Sequence, residues 1–397
     1  MTPDEQSVLD RIDEELLVRV TCQLLQAIGQ NPPGEEAATV AVLAAAGREL
    51  GLDVVTSPVE PGRDNVSVTL AGGNGPGLLI LGHTDVVPVG DGWTTDPYGG
   101  VVKDGRIYGR GASDMKGGLA AALVAMAALR GAGLTGPVEL AAVVDEEETG
   151  KGIRAYVDHA RGAAAGSGSE FLGCITAEPT DLQTIIAARG DSYLRVAVHG
   201  RACHAGNPDD GANAIYGAAA VVAEIERLHA ELAADPHPLL GPATWSVGQI
   251  NGGTGGSIVP ADCVIVADRR LLPGESPAAV LDDLRSRVAA LRLEDRGLSV
   301  ELEMPMEMPA FETAADGELV RVIEAARVDA GGPELPLAGW TAACDGGYVA
   351  RDLGVPVVVL GAGSVTTQAH QADESVPIEE LVTAARAYTL TALRLLT

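Results

Sequence analysis

The stretch Leu78-Leu79-Ile80-Leu81-Gly82-His83-Thr84-Asp85-Val86-Val87-Pro88 constrains this chain most. A short apolar run bounded by glycine and proline reads as a strand covered on both faces. Such strands lie in the middle of α/β sheets, and ligands bind beyond their C-terminal ends. There the sequence places His83 and Asp85. An imidazole can ligate a metal, and a carboxylate can orient it from behind. Taken alone, the pair is equally compatible with a polar turn, so the rest of the chain decides.

Other segments repeat the pattern. Val138–Val144 and Phe171–Thr176 read as buried strands, followed by Asp145-Glu146-Glu147-Glu148 and by Glu178. Val355–Leu360 reads as a fourth, with His370 in the loop beyond. Gly109–Gly118 is a glycine-rich loop carrying Asp114 and feeding a helix from about Leu119 to Arg130. Residues 4–30 and 35–50 have helical spacing, Val54–Val59 and Asn65–Leu70 that of strands. Residues 150–161 read as a helix and 163–170 as a small-residue loop.

The pattern changes after Gly190. Strand Tyr193–His199, helix Ala212–Leu232, strands Thr244–Ile250 and Ser257–Ala267, helix Ser276–Leu291 and strand Leu298–Met304 follow in order. This β-α-β-β-α-β order marks a ferredoxin-like α+β unit. The expected fold class is therefore α/β: a mixed, mostly parallel sheet domain built from residues 1–190 and 305–397, with a ferredoxin-like domain inserted at 191–304. A helix over Gly317–Ala330 and a C-terminal helix complete the second segment.

The net charge of −28 disfavours nucleic acid and anionic membrane surfaces as partners. An anionic substrate would need a local cationic site. The longest apolar stretch, Leu119–Leu129, is too short to span a bilayer. The N-terminal stretch lacks the basic and apolar regions of a signal peptide. Five scattered cysteines without a CxxC spacing indicate neither a disulfide framework nor a zinc ribbon, which fits a reducing cytoplasm.

In a parallel sheet the strand ends open on one side, so His83, Glu146, Glu147, Glu178 and His370 converge, with Asp114 nearby. Two histidines and several carboxylates suit two divalent zinc ions bridged by one carboxylate. A carboxylate outside the ligand set must then move the proton of the attacking water. Adjacent glutamates can divide the two tasks if their side chains point to opposite sides, as in extended backbone.

These motifs resemble the dinuclear zinc amidohydrolases that include acetylornithine deacetylase, succinyl-diaminopimelate desuccinylase, aminoacylase and glutamate carboxypeptidase. The resemblance spans nearly the whole chain. From Gly82-His83-Thr84-Asp85-Val86-Val87-Pro88 it implies that His83 is a ligand and Asp85 its orienting partner. From Gly109–Gly118 it implies that Asp114 bridges the metals. From Asp145-Glu146-Glu147 it implies that Glu146 is the general base and Glu147 a ligand, with Glu147/Glu148 as an alternative frame. Glu178-Pro179-Thr180 places Glu178 on the metal of His83, and Ala369–Glu374 places His370 with Glu147. Cobalt is the alternative to zinc.

The inserted domain would be a lid that also forms a homodimer. Its Val198–Pro208 segment implies that His204 stabilises the oxyanion, often across the dimer. Asp268-Arg269-Arg270-Leu271-Leu272-Pro273-Gly274-Glu275 implies that Arg270 binds the substrate carboxylate. An ion pair of Arg270 with Asp268 is the structural alternative. Ser257 stands where the family usually has asparagine, which leaves substrate choice open. Cys344-Asp345 stands where Thr-Asp is commoner, and Cys203 and Cys344 read as packing residues.

The expected activity is hydrolysis of the amide bond of an N-acyl amino acid, of deacetylase or desuccinylase type. A metallo-carboxypeptidase or dipeptidase on the same centre is the nearer alternative, with an N-acyl amino acid or short peptide as the small-molecule partner. A non-catalytic metal-binding homologue is the remoter one. The acyl group and the amino-acid side chain are not legible.

Overall fold

The computed structural model describes residues 1–163 and 171–397. Most of the stretch read as a small-residue loop, 164–170, therefore lies outside the described residues. Among the strands of the two main sheets are, in chain order, β1 (Asp53–Glu60), β2 (Arg63–Leu70), β3 (Gly77–His83), β4 (Val138–Val143), β5 (Phe171–Thr176), β6 (Gly190–His199), β7 (Thr244–Gly252), β8 (Asp262–Leu271), β9 (Ser299–Met308) and β10 (Val357–Val359).

The chain divides into two compact units. The first comprises Met1–Ile186, Glu312–Ala338 and Cys344–Thr397, the second Ala187–Phe311 and Gly339–Ala343. The second is thus somewhat wider than 191–304 and takes in a short return segment.

In the first unit the sheet includes the run β1-β2-β4-β3-β5-β10. The β1–β2 and β2–β4 pairs are antiparallel, and β4, β3, β5 and β10 are mutually parallel. All seven residues of β3 are buried. Full burial of each Leu or Ile there contributes roughly 1.5–3 kcal/mol, which places this strand in the middle of the sheet. The parallel strands end together at His83, Val143, Thr176 and Val359, so the loops that follow share one edge.

Helix Gly117–Ala128 is buried on nearly every face, as its Gly-Ala-Leu-Val composition requires. Its start is tight. A side-chain carbon on Gly118 would meet the carbonyl oxygen of Ala177 at 2.3 Å, just before Glu178. Only glycine lets the helix approach the end of β5 so closely.

In the second unit an antiparallel sheet runs β7-β8-β6-β9, with helices Ala214–Leu232 and Pro277–Ala290. Its core includes Leu194, Val196, Val198, Val221, Ile225, Ile265 and Leu284.

Several local expectations change. Residues 4–30 form two helices, Pro3–Leu9 and Glu14–Gln26, because the Asp13 carboxylate caps the second by accepting from Leu16 N (3.0 Å). The expected strand over 257–267 is split at Pro260-Ala261. Ile258–Val259 pairs with Cys203–His204, and β8 begins at Asp262. A three-stranded sheet of Val101–Lys103, Arg106–Tyr108 and Ser375–Pro377 carried no alternation to read. Among the described residues no helix is long and apolar enough to cross a membrane.

Gly118→Ala should cost about 1–3 kcal/mol, because the obstacle is backbone and cannot swing aside. A lower denaturant midpoint at unchanged slope would show it.

Candidate metal centre

Each donor stands at the head of the sheet for a local reason. His83 is the last residue of β3, and its Nδ1 lies 2.9 Å from the carbonyl oxygen of Asp85. That acceptor takes the Nδ1 proton and leaves Nε2 facing the cluster. Nε2 is 3.1 Å from Asp114 Oδ1 and 3.5 Å from Glu178 Oε1. On the other side, His370 Nε2 is 3.4 Å from Asp114 Oδ2 and 3.2 Å from Glu147 Oε2.

Two donor groups result: His83, Asp114 and Glu178, and Asp114, Glu147 and His370. Asp114 belongs to both and turns one oxygen to each histidine. The backbone makes this possible. Asp114 leaves helical geometry (φ −120°, ψ 90°) within the turn Ala112–Lys116, just before the helix.

The donors fit two divalent cations. Imidazole nitrogen and carboxylate oxygen are zinc ligands, and one carboxylate is shared. Glu147 Oε1 is buried without a hydrogen-bond partner among the described residues. An orphaned buried anion is costly unless a cation meets it. The titration behaviour agrees. Burial, with the charges of Asp114 and Glu147, pushes Glu178 up to about 7. Burial also raises Glu147, helped by Asp114. Hydrogen bonds to Asp114 and Glu147 push His370 up to about 10. Burial opposes charge on His83, but Glu178 and Asp114 hold its pKa well above the ordinary value.

Glu146 sits beside these groups but belongs to neither. Burial, with the charges of Glu178, Asp345 and Glu147, drives its pKa well up. Glu148 is exposed and also lies outside both groups. Glu146 and Glu147 occupy a turn that opens at Asp145, whose φ is 69°.

Asp85 does something the sequence reading missed. Its carboxylate stands 3.6 Å from His83 Nδ1, farther than its own carbonyl. Instead Oδ1 accepts from Glu146 N (3.2 Å), and Oδ2 from Glu147 N (3.1 Å) and Asn31 Nδ2 (2.9 Å). Asn31 Nδ2 also donates to Asp145 Oδ1 (3.1 Å), which accepts from Arg63 as well (2.9 Å). Arg63 is paired on its other side with buried Glu36. Asp85 therefore holds the glutamate turn as much as the imidazole. Asn31 and Arg63 lacked any signal beyond being polar residues near prolines, and Asp145 stood in the quoted glutamate motif without a role of its own. Asp345, named from sequence only beside Cys344, was given no role: both its oxygens are buried and unpartnered among the described residues. A lone acid in Ala342-Ala343-Cys344-Asp345-Gly346-Gly347 was the available hint.

In the second unit His204 is exposed, and its Nδ1 accepts from Gly206 N (3.0 Å). In the neutral ring the proton then sits on Nε2, a donor. Ser257 is exposed, and its carbonyl accepts from Ala205 N (2.9 Å), so the two segments adjoin. Arg270 is half-buried, pairs with Asp268 through Nη2 (2.9 Å) and Nε (3.1 Å), and lies 3.3 Å from Asp191. The Cys203 thiol donates to Asn207 O (3.3 Å), and Cys344 is buried; all five cysteines are free.

The family model described as peptidase family M20/M25/M40 matches residues 79–394. Acetylornithine deacetylase of Myxococcus xanthus is 33% identical over 321 residues, 79% of this chain and 80% of its own. That of Proteus mirabilis is 33% identical over 333 residues, 82% and 81% of the two chains. Among solved structures, the M20 family metallo-carboxypeptidase Sso-CP2 of Sulfolobus solfataricus has a TM-score of 0.78 at 20% identity, with all of both chains covered. Aminopeptidase PepT of Bacillus cereus has a TM-score of 0.76 at 23% identity, covering 96% of this chain and 99% of its own.

Two outcomes follow. Asp85→Ala should lower activity about 10–100-fold although both donor groups stay intact, read as turnover at measured metal content. The metal-free protein should lose stability as pH rises from about 5 to about 8. Glu178 titrates higher folded than at its ordinary 4.5, so the native state binds more protons across that window. His370 acts in the same direction above its ordinary 6.5. Asp114 is depressed, so its contribution is lost only in more acid solution. Thermal unfolding of chelator-treated protein should show the fall, and zinc should oppose it.

Proposed function

This chain belongs to peptidase family M20/M25/M40, and from that premise we propose that it removes the acyl group from an N-acyl amino acid by zinc-dependent hydrolysis. As a member of that family it is a metal-dependent hydrolase of amide bonds. The observation that carries the reading is Asp114, which turns one carboxylate oxygen to each of two histidine-containing groups while Glu146 stands beside them. The curated acetylornithine deacetylases support an acyl amino acid as substrate.

His83, Asp114 and Glu178 would hold one ion, and Asp114, Glu147 and His370 the other. Two zinc ions there would acidify a water and polarise the amide carbonyl. Glu146 takes a proton from the attacking water and delivers it to the leaving nitrogen. The C–N bond breaks, and the products are a carboxylic acid and a free amine.

His204 Nε2–H is the oxyanion donor in this reading, and Arg270 the anchor for the substrate carboxylate. Ser257, on the segment adjoining His204, contributes to substrate choice. A homodimer in a reducing cytoplasm completes the proposal; the family resemblance supports the dimer, and the five free thiols support the compartment.

Glu146→Gln should abolish turnover, by about 10²–10⁴-fold, with metal content unchanged. Wild-type activity in that variant would sink the mechanism. The zinc-loaded protein should cleave acyl amino acids from a panel that also contains dipeptides. Cleavage of dipeptides alone would replace the deacylase reading with the peptidase one.

A further inference from the structure

The segment carrying His370 continues into Asp373 and Glu374. Glu374 is 1% exposed, and its carboxylate is saturated. Oε1 accepts from Ser113 N (2.9 Å) and Asp114 N (3.0 Å). Oε2 accepts from Gly111 N (3.0 Å) and from Arg110 Nη1 (2.7 Å). The main chain adds to this: Gly109 N donates to Glu374 O (2.9 Å), and Ser113 Oγ to Ser375 O (3.1 Å).

Arg110 carries the connection further. Its Nη1 also donates to Gln371 O (3.2 Å), next to His370, and its Nη2 to Val89 O (3.1 Å) in the segment that follows β3. The guanidinium lies 5.2 Å from the centre of the Trp93 ring. Asp373 faces the same segment, accepting from Thr94 N (2.9 Å) and Thr95 N (3.0 Å). One buried ion pair thus ties together the segments that carry His83, Asp114 and His370.

We propose that Glu374 is the positioning residue of the metal centre, holding the backbone at 111–114 so that Asp114 presents its two oxygens before any cation arrives. This rests on the two-metal reading above. Four donors converge on two oxygens, so the carboxylate cannot be replaced without loss. Glutamine would turn an N–H₂ group toward the two donors that share one carboxylate oxygen, and both would lose their acceptor. Arg110 Nη1 adds a charge-assisted hydrogen bond to Oε2 (2.7 Å). A site ordered in this way spends less of its ion affinity on fixing a loop.

Hydrogen–deuterium exchange on peptides covering 109–116, with and without zinc, tests this in the wild-type protein. The expected result is slow exchange in both states. Exchange as fast as in an unfolded peptide until zinc is added would overturn the proposal. Glu374→Gln should speed exchange there at least about tenfold, leave β3 to β5 unchanged, and weaken zinc binding in chelator competition by about 10–100-fold. Unchanged exchange together with unchanged zinc affinity in that variant would also overturn it. A wild-type protein that takes up no zinc yet exchanges slowly at 109–116 would overturn the metal reading and support the positioning role.

Discussion

Carboxylates buried side by side must each find positive charge or a hydrogen-bond donor, and that requirement organises the first unit of this protein. The acids at the head of the sheet sort into two kinds by how it is met. Asp85, Asp145 and Glu374 are met by fixed donors: backbone N–H groups, Asn31, Arg63 and Arg110. Among the described residues, Glu147, Glu178 and Asp114 are met only by two imidazoles, and Glu147 keeps one oxygen unmet. The first kind holds loops in place. The second is where cations belong.

This division also explains the titration pattern. In the absence of metal, protons on His83 and His370 stand where divalent charge would, and Glu178 and Glu146 are pushed toward their neutral forms by burial. Asp114 stays strongly acidic because its two oxygens face both imidazoles. The residue placed to bridge is thus one whose charge the fold protects.

The second unit obeys a gentler version of the same rule. Arg270 has its charge shared by Asp268 and Asp191, so a substrate carboxylate would compete with two fixed partners. His204 has its tautomer set by one backbone amide. Both arrangements concern directed donors, and neither needs a metal.

Much of this was legible from sequence. Apolar runs that end in His, Glu or Gly-rich loops mark strand ends, because a strand buried on both faces excludes polar residues until it leaves the sheet. The β-α-β-β-α-β order marked the second unit for a similar reason. What stayed illegible were the partners. Asp13 capping a helix and Pro260 splitting a strand are local and were misjudged on spacing alone. Asn31 joining Asp85 to Asp145, or Arg110 joining Glu374, spans 54, 114 and 264 residues, and no local pattern encodes that distance. The sequence by itself determined which residues stand at the mouth of the sheet, since hydrophobic periodicity dictates where strands stop. Only the tertiary structure decided which carboxylates are held by fixed donors and which are left for cations, because hydrogen bonding depends on contacts that form after the strands have aligned.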